Sequence, residues 1–284
     1  MLCSRFARST FVLGVIATIG LISRANAAPT PVHGGDVRFE KTAARQADGS
    51  WISTATGLDA VGPNGEVFQN STAFSGQGVT QGPSGQVSGF QTDHLLADDL
   101  HLDPAAAPGS PINFFRASIA NFNSADASVE PLINFFANDG TNGGPGTLLA
   151  AFAFNPITVP AGAGGFFSFA IPAANQFPIP ANGVIWAGES FDNGGGATAT
   201  NAQLENFGQL AFNPPTIGTS ADNVFVSTNP NDGFTNSPAG SQGNFGGAPI
   251  ANFGWELRAA VPEPTTMGVM GLIGLGMLAR RRRA

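Results

Sequence analysis

Short runs of aromatic and β-branched residues, each bounded by Gly, Pro, Asn or Asp, recur along most of this 284-residue chain. Such runs are typical of β-strands joined by tight turns. They lie at residues 98–104, 111–122, 129–139, 146–156, 165–172, 183–191, 222–228 and 252–260. Outside the two termini, only residues 39–46 could form one or two helical turns. The pattern predicts an all-β fold, an antiparallel, jelly-roll-like β-sandwich.

The three tryptophans divide into two groups by their surroundings. Trp186 and Trp255 lie inside predicted strands and are expected in the core. Trp51 follows the turn-forming Asp48-Gly49-Ser50 and is expected to be exposed, where a flat ring could stack on a sugar. It is therefore our candidate ligand-binding residue. The chain has 24 phenylalanines and no tyrosine, which favours packing over sugar recognition.

The first 27 residues have the order of a secretory signal peptide. Basic residues precede an apolar stretch at 11–22, and the small residues Ala25 and Ala27 follow it. The stretch is short for a permanent membrane span, which needs about 20 apolar residues. We predict an N-terminal signal helix that signal peptidase removes after Ala27, so that Ala28 begins the exported chain.

Composition excludes two kinds of site or partner. The only cysteine, Cys3, lies within the predicted signal, so the exported chain has no thiol for a disulfide or a nucleophile. Residues 28–260 carry five Lys and Arg against at least seventeen Asp and Glu. Because nucleic acid and anionic surfaces repel an acidic protein, we expect no nucleic-acid partner.

The last residues, 261–284, combine three features in a fixed order. Pro262-Glu263-Pro264 should be an extended, exposed peptide, since two prolines remove two backbone donors. Residues 265–279 carry no charge and would span about 22 Å as a helix, against a hydrocarbon thickness of about 30 Å. The positive-inside rule keeps the following basic cluster on the cytoplasmic side. This predicts a short C-terminal transmembrane helix with a membrane stop at Arg280, Arg281, Arg282 and Arg283.

This order resembles the PEP-CTERM sorting signal of bacterial exosortase substrates. The resemblance implies transit through the inner membrane, cleavage near Pro262-Glu263-Pro264 by an exosortase, and a final place at the cell surface or in the extracellular matrix. It also implies an association with exopolysaccharide and biofilm. A plain membrane anchor behind a proline-rich linker is the alternative. Residues 95–150 resemble, more loosely, β-sandwich ectodomains of anchored bacterial surface proteins.

One acidic segment could bind a metal ion. On a strand, Asp99, His101 and Asp103 would line one face, with about 6.5 to 7 Å between alternate residues. With oxygens from a loop they could hold a divalent cation such as Ca²⁺. The alternative is the solvated face of a strand that buries Leu100 and Leu102 on its other side. No other cofactor is expected.

No motif identifies a reaction. The nearest approach to Gly-x-Ser-x-Gly, at Gly188–Asp192, ends in Asp, and nothing nominates the pair of facing carboxylates that a glycosidase needs. We therefore predict three regions: a signal peptide at 1–27, a β-sandwich ectodomain at 28–260 and a sorting signal at 261–284. The expected function is a structural or adhesive one without enzymatic activity. The alternatives are a polysaccharide-binding module and an exported hydrolase.

Overall fold

The computed structural model describes residues 31–54, 65–80, 95–194, 196–227, 236–244 and 252–260, and almost all of their regular structure is β-strand. The strands are β1 (Val32–Gly35), β2 (Glu40–Arg45), β3 (Trp51–Ser53), β4 (Glu66–Asn70), β5 (Phe74–Thr80), β6 (Leu95–His101), β7 (Pro111–Asn121), β8 (Ala127–Ala137), β9 (Leu148–Phe154), β10 (Ile157–Val159), β11 (Ala163–Ala170), β12 (Phe177–Pro178), β13 (Val184–Asp192), β14 (Phe207–Phe212), β15 (Thr219–Ser227), β16 (Ser241–Gly243) and β17 (Trp255–Ala259). Each of the eight predicted runs contains or overlaps one of these strands.

The strands form two sheets, which confirms the predicted all-β sandwich. Sheet I has the order β1-β9-β8-β13-β6-β15-β16, with β10 paired to β8. Sheet II has the order β3-β2-β11-β7-β14-β5, with β12 and β17 paired to β7 and β4 paired to β17. The pairings are antiparallel except for β1, which runs parallel to β9. The prediction of a purely antiparallel fold is therefore wrong at that edge.

Phenylalanine side chains from both sheets fill the space between them. Phe115 of sheet II lies with its ring centroid 5.4 Å from that of Phe135 and 5.5 Å from that of Phe152, both in sheet I. All three are fully buried. Aromatic pairs at such distances add about 0.5–1.5 kcal/mol each beyond the area that they bury. These ring contacts join the two sheets, and the described residues contain no cysteine that could form a disulfide.

Sheet II curls until its two edge strands, β3 and β5, come into contact. A Cβ atom on Gly76 of β5 would lie 3.7 Å from the Trp51 carbonyl oxygen of β3. The curl encloses a second apolar cluster on the face opposite the main core. Its buried members are Ala43, Trp51, Ala120, Phe166, Leu210 and Phe212. Glycine is needed inside it, because a Cβ atom on Gly164 would approach Leu210 Cδ2 to 2.9 Å.

Two local expectations about helices are wrong. Residues 39–46 contain strand β2, which pairs with β11 and β3, and not a helical turn. The one α-helical turn among the described residues is α1 (Asn201–Leu204). Its capping box joins Thr200 and Gln203, because each side chain accepts a hydrogen bond from the other residue's backbone N–H.

The predicted signal helix and C-terminal helix lie outside the described residues. Within those residues, no helix has the length and apolar character needed to cross a membrane.

Candidate functional site

Strand β6 carries the predicted metal-binding residues toward one end of the sandwich. Leu100 is fully buried in the main core and Leu102 nearly so, as the alternation predicts. On the other face, His101 Nε2 lies 3.2 Å from Asp99 Oδ2, and Asn223 Nδ2 donates to the same oxygen at 3.0 Å. Asp99 is only 4% exposed, whereas the His101 side chain is 42% exposed, so this face is solvated at His101 and covered at Asp99.

Asp103 does not join the other two predicted ligands. Its Oδ1 accepts a hydrogen bond of 2.7 Å from the backbone N–H of Ala105, which closes the turn that follows β6. Across the described ranges, no group of three or more His, Cys, Asp and Glu side chains is placed to hold a metal ion. The structure thus brings Asp99 and His101 together and directs Asp103 elsewhere.

A buried aspartate that the sequence did not single out lies beside them. Asp98 is fully buried, and its Oδ2 accepts a hydrogen bond of 2.8 Å from the backbone N–H of Phe253. Its Oδ1 lies 3.0 Å from Ser220 Oγ. The pairing of β15 with β6 shifts register between Ser220 and Val224, and this bulge lets side chains of β15 reach the two aspartates.

Ser220 Oγ lies within hydrogen-bond distance of more acceptors than its single hydrogen can serve well. Ser220 Oγ also lies 2.9 Å from Asn252 Oδ1 and 3.0 Å from the Ala221 carbonyl oxygen. One hydroxyl hydrogen can serve one of these acceptors well. A protonated Asp98 would donate to Ser220 Oγ and leave the Ser220 hydrogen for Asn252.

Two ionisable groups of this cluster have displaced pKa values. Burial, with a smaller contribution from the charge of Asp99, raises the pKa of Asp98 well above its ordinary value, although the Phe253 amide opposes the change. The hydrogen bond with Asp99 raises the pKa of His101, and partial burial opposes it. Asp98 therefore favours its neutral form and His101 its cationic form.

Two cavities lie where the described chain leaves strand β17. The first, of about 430 Å³, is lined mostly by small apolar groups, among them Ala105, Ile217 and Ala259. The second, of about 530 Å³, is lined by His101, Asn182 and other residues. Residues 102–110, 179–183 and 213–219 form the surface around both cavities. We call these three segments the exit surface.

The expectation that Trp51 is exposed is wrong. Its ring is 5% exposed and lies edge-on to Phe122, with 5.1 Å between the centroids, because the curl of sheet II covers it. The neighbouring Ile52 points outward instead and is 48% exposed. Trp186 and Trp255 are buried as predicted, and Trp186 Nε1 donates to Asn138 Oδ1 and to the Gly143 carbonyl oxygen.

The segment nearest to Gly-x-Ser-x-Gly and one facing pair of carboxyl groups both lie on strands of sheet I. Gly188–Asp192 lies within strand β13, where Glu189 and Ser190 are buried, so Ser190 does not sit on an exposed elbow. Glu130 pairs across the strands with Asp192, whose Oδ1 accepts the Gly194 N–H at 2.7 Å. Partial burial and the charge of Asp192 raise the pKa of Glu130, and His33 lowers it.

The processing residues all lie outside the described part of the chain. They are Ala25, Ala27, Ala28, Pro262, Glu263, Pro264, Arg280, Arg281, Arg282 and Arg283.

Comparison with known proteins identifies the C-terminal segment. The PEP-CTERM protein-sorting motif matches residues 260–283, as the sequence order indicated. No curated protein and no solved structure matches the chain. The match covers only the C-terminal tail. The fold of the residues before it rests on the structure alone.

Proposed function

Because the chain carries a PEP-CTERM sorting motif at residues 260–283, we propose that it is an exported protein that exosortase releases or attaches at the cell surface or in the extracellular matrix. Its role there is structural or adhesive, alongside exopolysaccharide in a biofilm. The observation that carries the proposal is the sorting motif, which begins one residue after strand β17 ends at Ala259.

The chemistry of the described acidic side chains supports a structural role. Both carboxylate oxygens of Asp139 accept hydrogen bonds from Thr147, which closes the loop between β8 and β9. Asp103 holds the turn after β6, and Asp98 holds the Phe253 amide. These carboxylates are engaged in positioning the backbone. A hydrolase would need them directed toward substrate.

The polysaccharide-binding alternative loses its main support. A sugar platform needs an exposed aromatic ring, and Trp51, Trp186 and Trp255 are all buried. Contact with exopolysaccharide in the proposed role would therefore use the polar surface of the sandwich rather than a stacking site on these rings.

Intact-mass spectrometry of the surface fraction tests the proposal. We expect a mature chain that begins at Ala28 and lacks residues 267–284, because signal peptidase and exosortase cut at the two ends. The double variant P262A/P264A should remain in the inner membrane with its tail attached. A variant that exchanges Ala279→Leu keeps the motif and serves as the control. Wild-type protein that retained its four arginines at the surface would identify the tail as a plain anchor.

A further inference from the structure

The folded domain and the sorting motif adjoin without a linker between them. The Ala259 N–H donates to the Gly65 carbonyl oxygen at 2.9 Å, and the Ala260 N–H donates to the Pro111 carbonyl oxygen at 3.1 Å. The sorting motif starts at residue 260. The last backbone hydrogen bond of the sandwich is thus made by the first residue of the motif.

This adjacency limits how far the cleavage region can lie from the sandwich. Even a fully extended chain advances at most about 3.6 Å per residue, so Pro264 lies within about 14 Å of Ala260. A peptidase that cuts near Pro262-Glu263-Pro264 must therefore bring its catalytic centre close to the exit surface. The opposite end of the sandwich is about 34 Å away, since the eleven residues of β7, Pro111–Asn121, make ten steps of about 3.4 Å each.

The exit surface differs in charge from the rest of this acidic domain. Asp103 is the one charged residue of its three segments, 102–110, 179–183 and 213–219, although the chain carries 19 Asp and Glu. The lining of the apolar cavity also includes Glu66, which pairs with Arg258. Pro104, Ala105 and Ala107 are exposed there. The apolar cavity of about 430 Å³ opens between these segments and is walled at its base by Ala259 and Ala260. A small, concave surface with few charged side chains and no Lys or Arg suits contact with a protein.

We propose that the exit surface docks on the extracytoplasmic face of the exosortase while the tail is being cut, an inference that rests on the proposed function. The occupant of the apolar cavity is then an apolar side chain of the peptidase, next to its catalytic centre. A bilayer is the less suitable partner, because surface attachment to anionic lipid depends on Lys and Arg, and the three segments of the exit surface have none.

Charge placed at the two ends of the sandwich tests this docking. In the full-length chain, A105E/A107E puts two carboxylates on the exit surface, and A47E/A161E puts two on exposed positions at the opposite end. A pulse-chase experiment in cells that contain the exosortase measures the loss of the tail. We expect A105E/A107E to slow the cut about tenfold, and A47E/A161E to change it less than about twofold. Equal melting temperatures of the purified variants exclude misfolding as the cause.

A flexible spacer between the sandwich and the sorting motif distinguishes loss of docking from a general effect of added charge on the cutting rate. Ten Gly and Ser residues between Ala260 and Val261 should restore the cutting rate of A105E/A107E, because the peptidase no longer needs to meet the exit surface. Equal rates for wild type and A105E/A107E, or equal slowing by both double variants, would overturn the inference. The inference would also be overturned if the difference in cutting rate between the two double variants disappeared in detergent-solubilised membranes. That result would assign the contact to the bilayer. A wild-type chain that is never cut would instead contradict the proposed function itself.

Discussion

The two sheets of this sandwich accommodate acidic residues in different ways. The Lys and Arg residues on described strands all belong to sheet II, and they are Lys41, Arg45, Arg116 and Arg258. The strands of sheet I contain none, yet they bear six carboxyl groups, at Asp98, Asp99, Glu130, Glu189, Asp192 and Asp222. Sheet II therefore has Lys and Arg side chains to pair with its acids. In the described part of sheet I, Asp99 has His101 beside it and Asp98 is held by hydrogen bonds.

In sheet II, arginine serves two purposes at once. The Arg258 Nη2 atom lies 2.6 Å from Glu256 Oε1, and its guanidinium carbon lies 4.4 Å from the centre of the Phe114 ring. Arg116 repeats the arrangement with Glu40 at 3.1 Å and the Phe166 ring at 4.4 Å. Each guanidinium thus neutralises a carboxylate and covers an aromatic face. In sheet I, burial raises the pKa of Asp98 and so favours its neutral form.

This contrast predicts that the stability of the fold is sensitive to different changes in the two sheets. In sheet II it should depend on the ion-pair partner, and in sheet I on pH. Removal of Arg258 from sheet II leaves the buried carboxylates of Glu66 and Glu256 without their cation. Removal of the carboxyl proton from Asp98 in sheet I leaves a buried charge near Asp99. We expect the first change to lower the free energy of unfolding at neutral pH. We expect the second to lower it increasingly as pH rises.

The largest effect is expected for Arg258→Met. Arg258 pairs with Glu256 at 2.6 Å and with Glu66 at 3.5 Å, and both glutamate side chains are 1% exposed. Loss of the guanidinium therefore leaves two buried negative charges without their ion-pair partner. Breaking such a pair costs about 3 kcal/mol. Urea unfolding of residues 28–260 at pH 7 should show this loss. The triple variant E66Q/E256Q/R258M removes both negative charges as well and should recover most of the loss. Equal losses in the two variants would mean that Arg258 acts through packing on Phe114.

Asp98→Asn should act in the opposite direction. The native pKa of Asp98 is raised, so its stabilising neutral form is fully present below the unfolded pKa of about 4 and is lost as pH rises through the native pKa. Asparagine keeps the acceptor for Phe253 and a donor for Ser220 without ionising. We expect the variant to be more stable than wild type at pH 7 by at least about 1 kcal/mol, and the gain to vanish near pH 4.

The control for this prediction is Ser220→Ala, which keeps Asp98 ionisable. Its stability should fall with rising pH as the wild-type stability does. Unfolding midpoints between pH 4 and pH 8 measure both variants. A constant difference between D98N and wild type over this range would show that Asp98 does not change protonation there.

A smaller effect is expected for His101→Gln. The raised pKa of His101 means that its bond to Asp99 contributes stability fully below about pH 6.5, and that the contribution is lost as pH rises through the native pKa. The His101 side chain is 42% exposed, so solvent screens the pair and its value is about 0.5 kcal/mol. Melting temperatures at pH 5.5 and pH 8.5 should show a loss only at the lower pH. An equal loss at both would assign His101 to packing.

The sequence predicted the positions of the strands more accurately than it predicted which residues cover each face of a strand. Alternation around Leu100 and Leu102 places β6 correctly, because side chains on a strand take opposite faces whatever covers them. What covers each face depends on distant parts of the chain. Trp51 is buried because β3 meets β5, and Asp98 is held by Phe253, 155 positions away. Only helix α1 had an overlooked local signal, the Thr200-x-x-Gln203 capping box.

The smallest effect is expected when EDTA is added. It tests whether a metal ion stabilises the carboxyl groups of sheet I. The sequence pattern suggested that Asp99, His101 and Asp103 could share a cation, which would stabilise the fold by binding only the native state. In the structure, Asp99 Oδ2 contacts His101 and Asn223. Asp103 Oδ1 accepts a hydrogen bond from the Ala105 N–H. We therefore expect EDTA to shift the melting temperature by less than about 1 °C. Asp103→Asn should lower that temperature equally with and without EDTA, because it weakens a turn. A drop of several degrees in EDTA, reversed by Ca²⁺ in wild type but not in D103N, would show that a cation supplies to sheet I the positive charge that arginine supplies to sheet II.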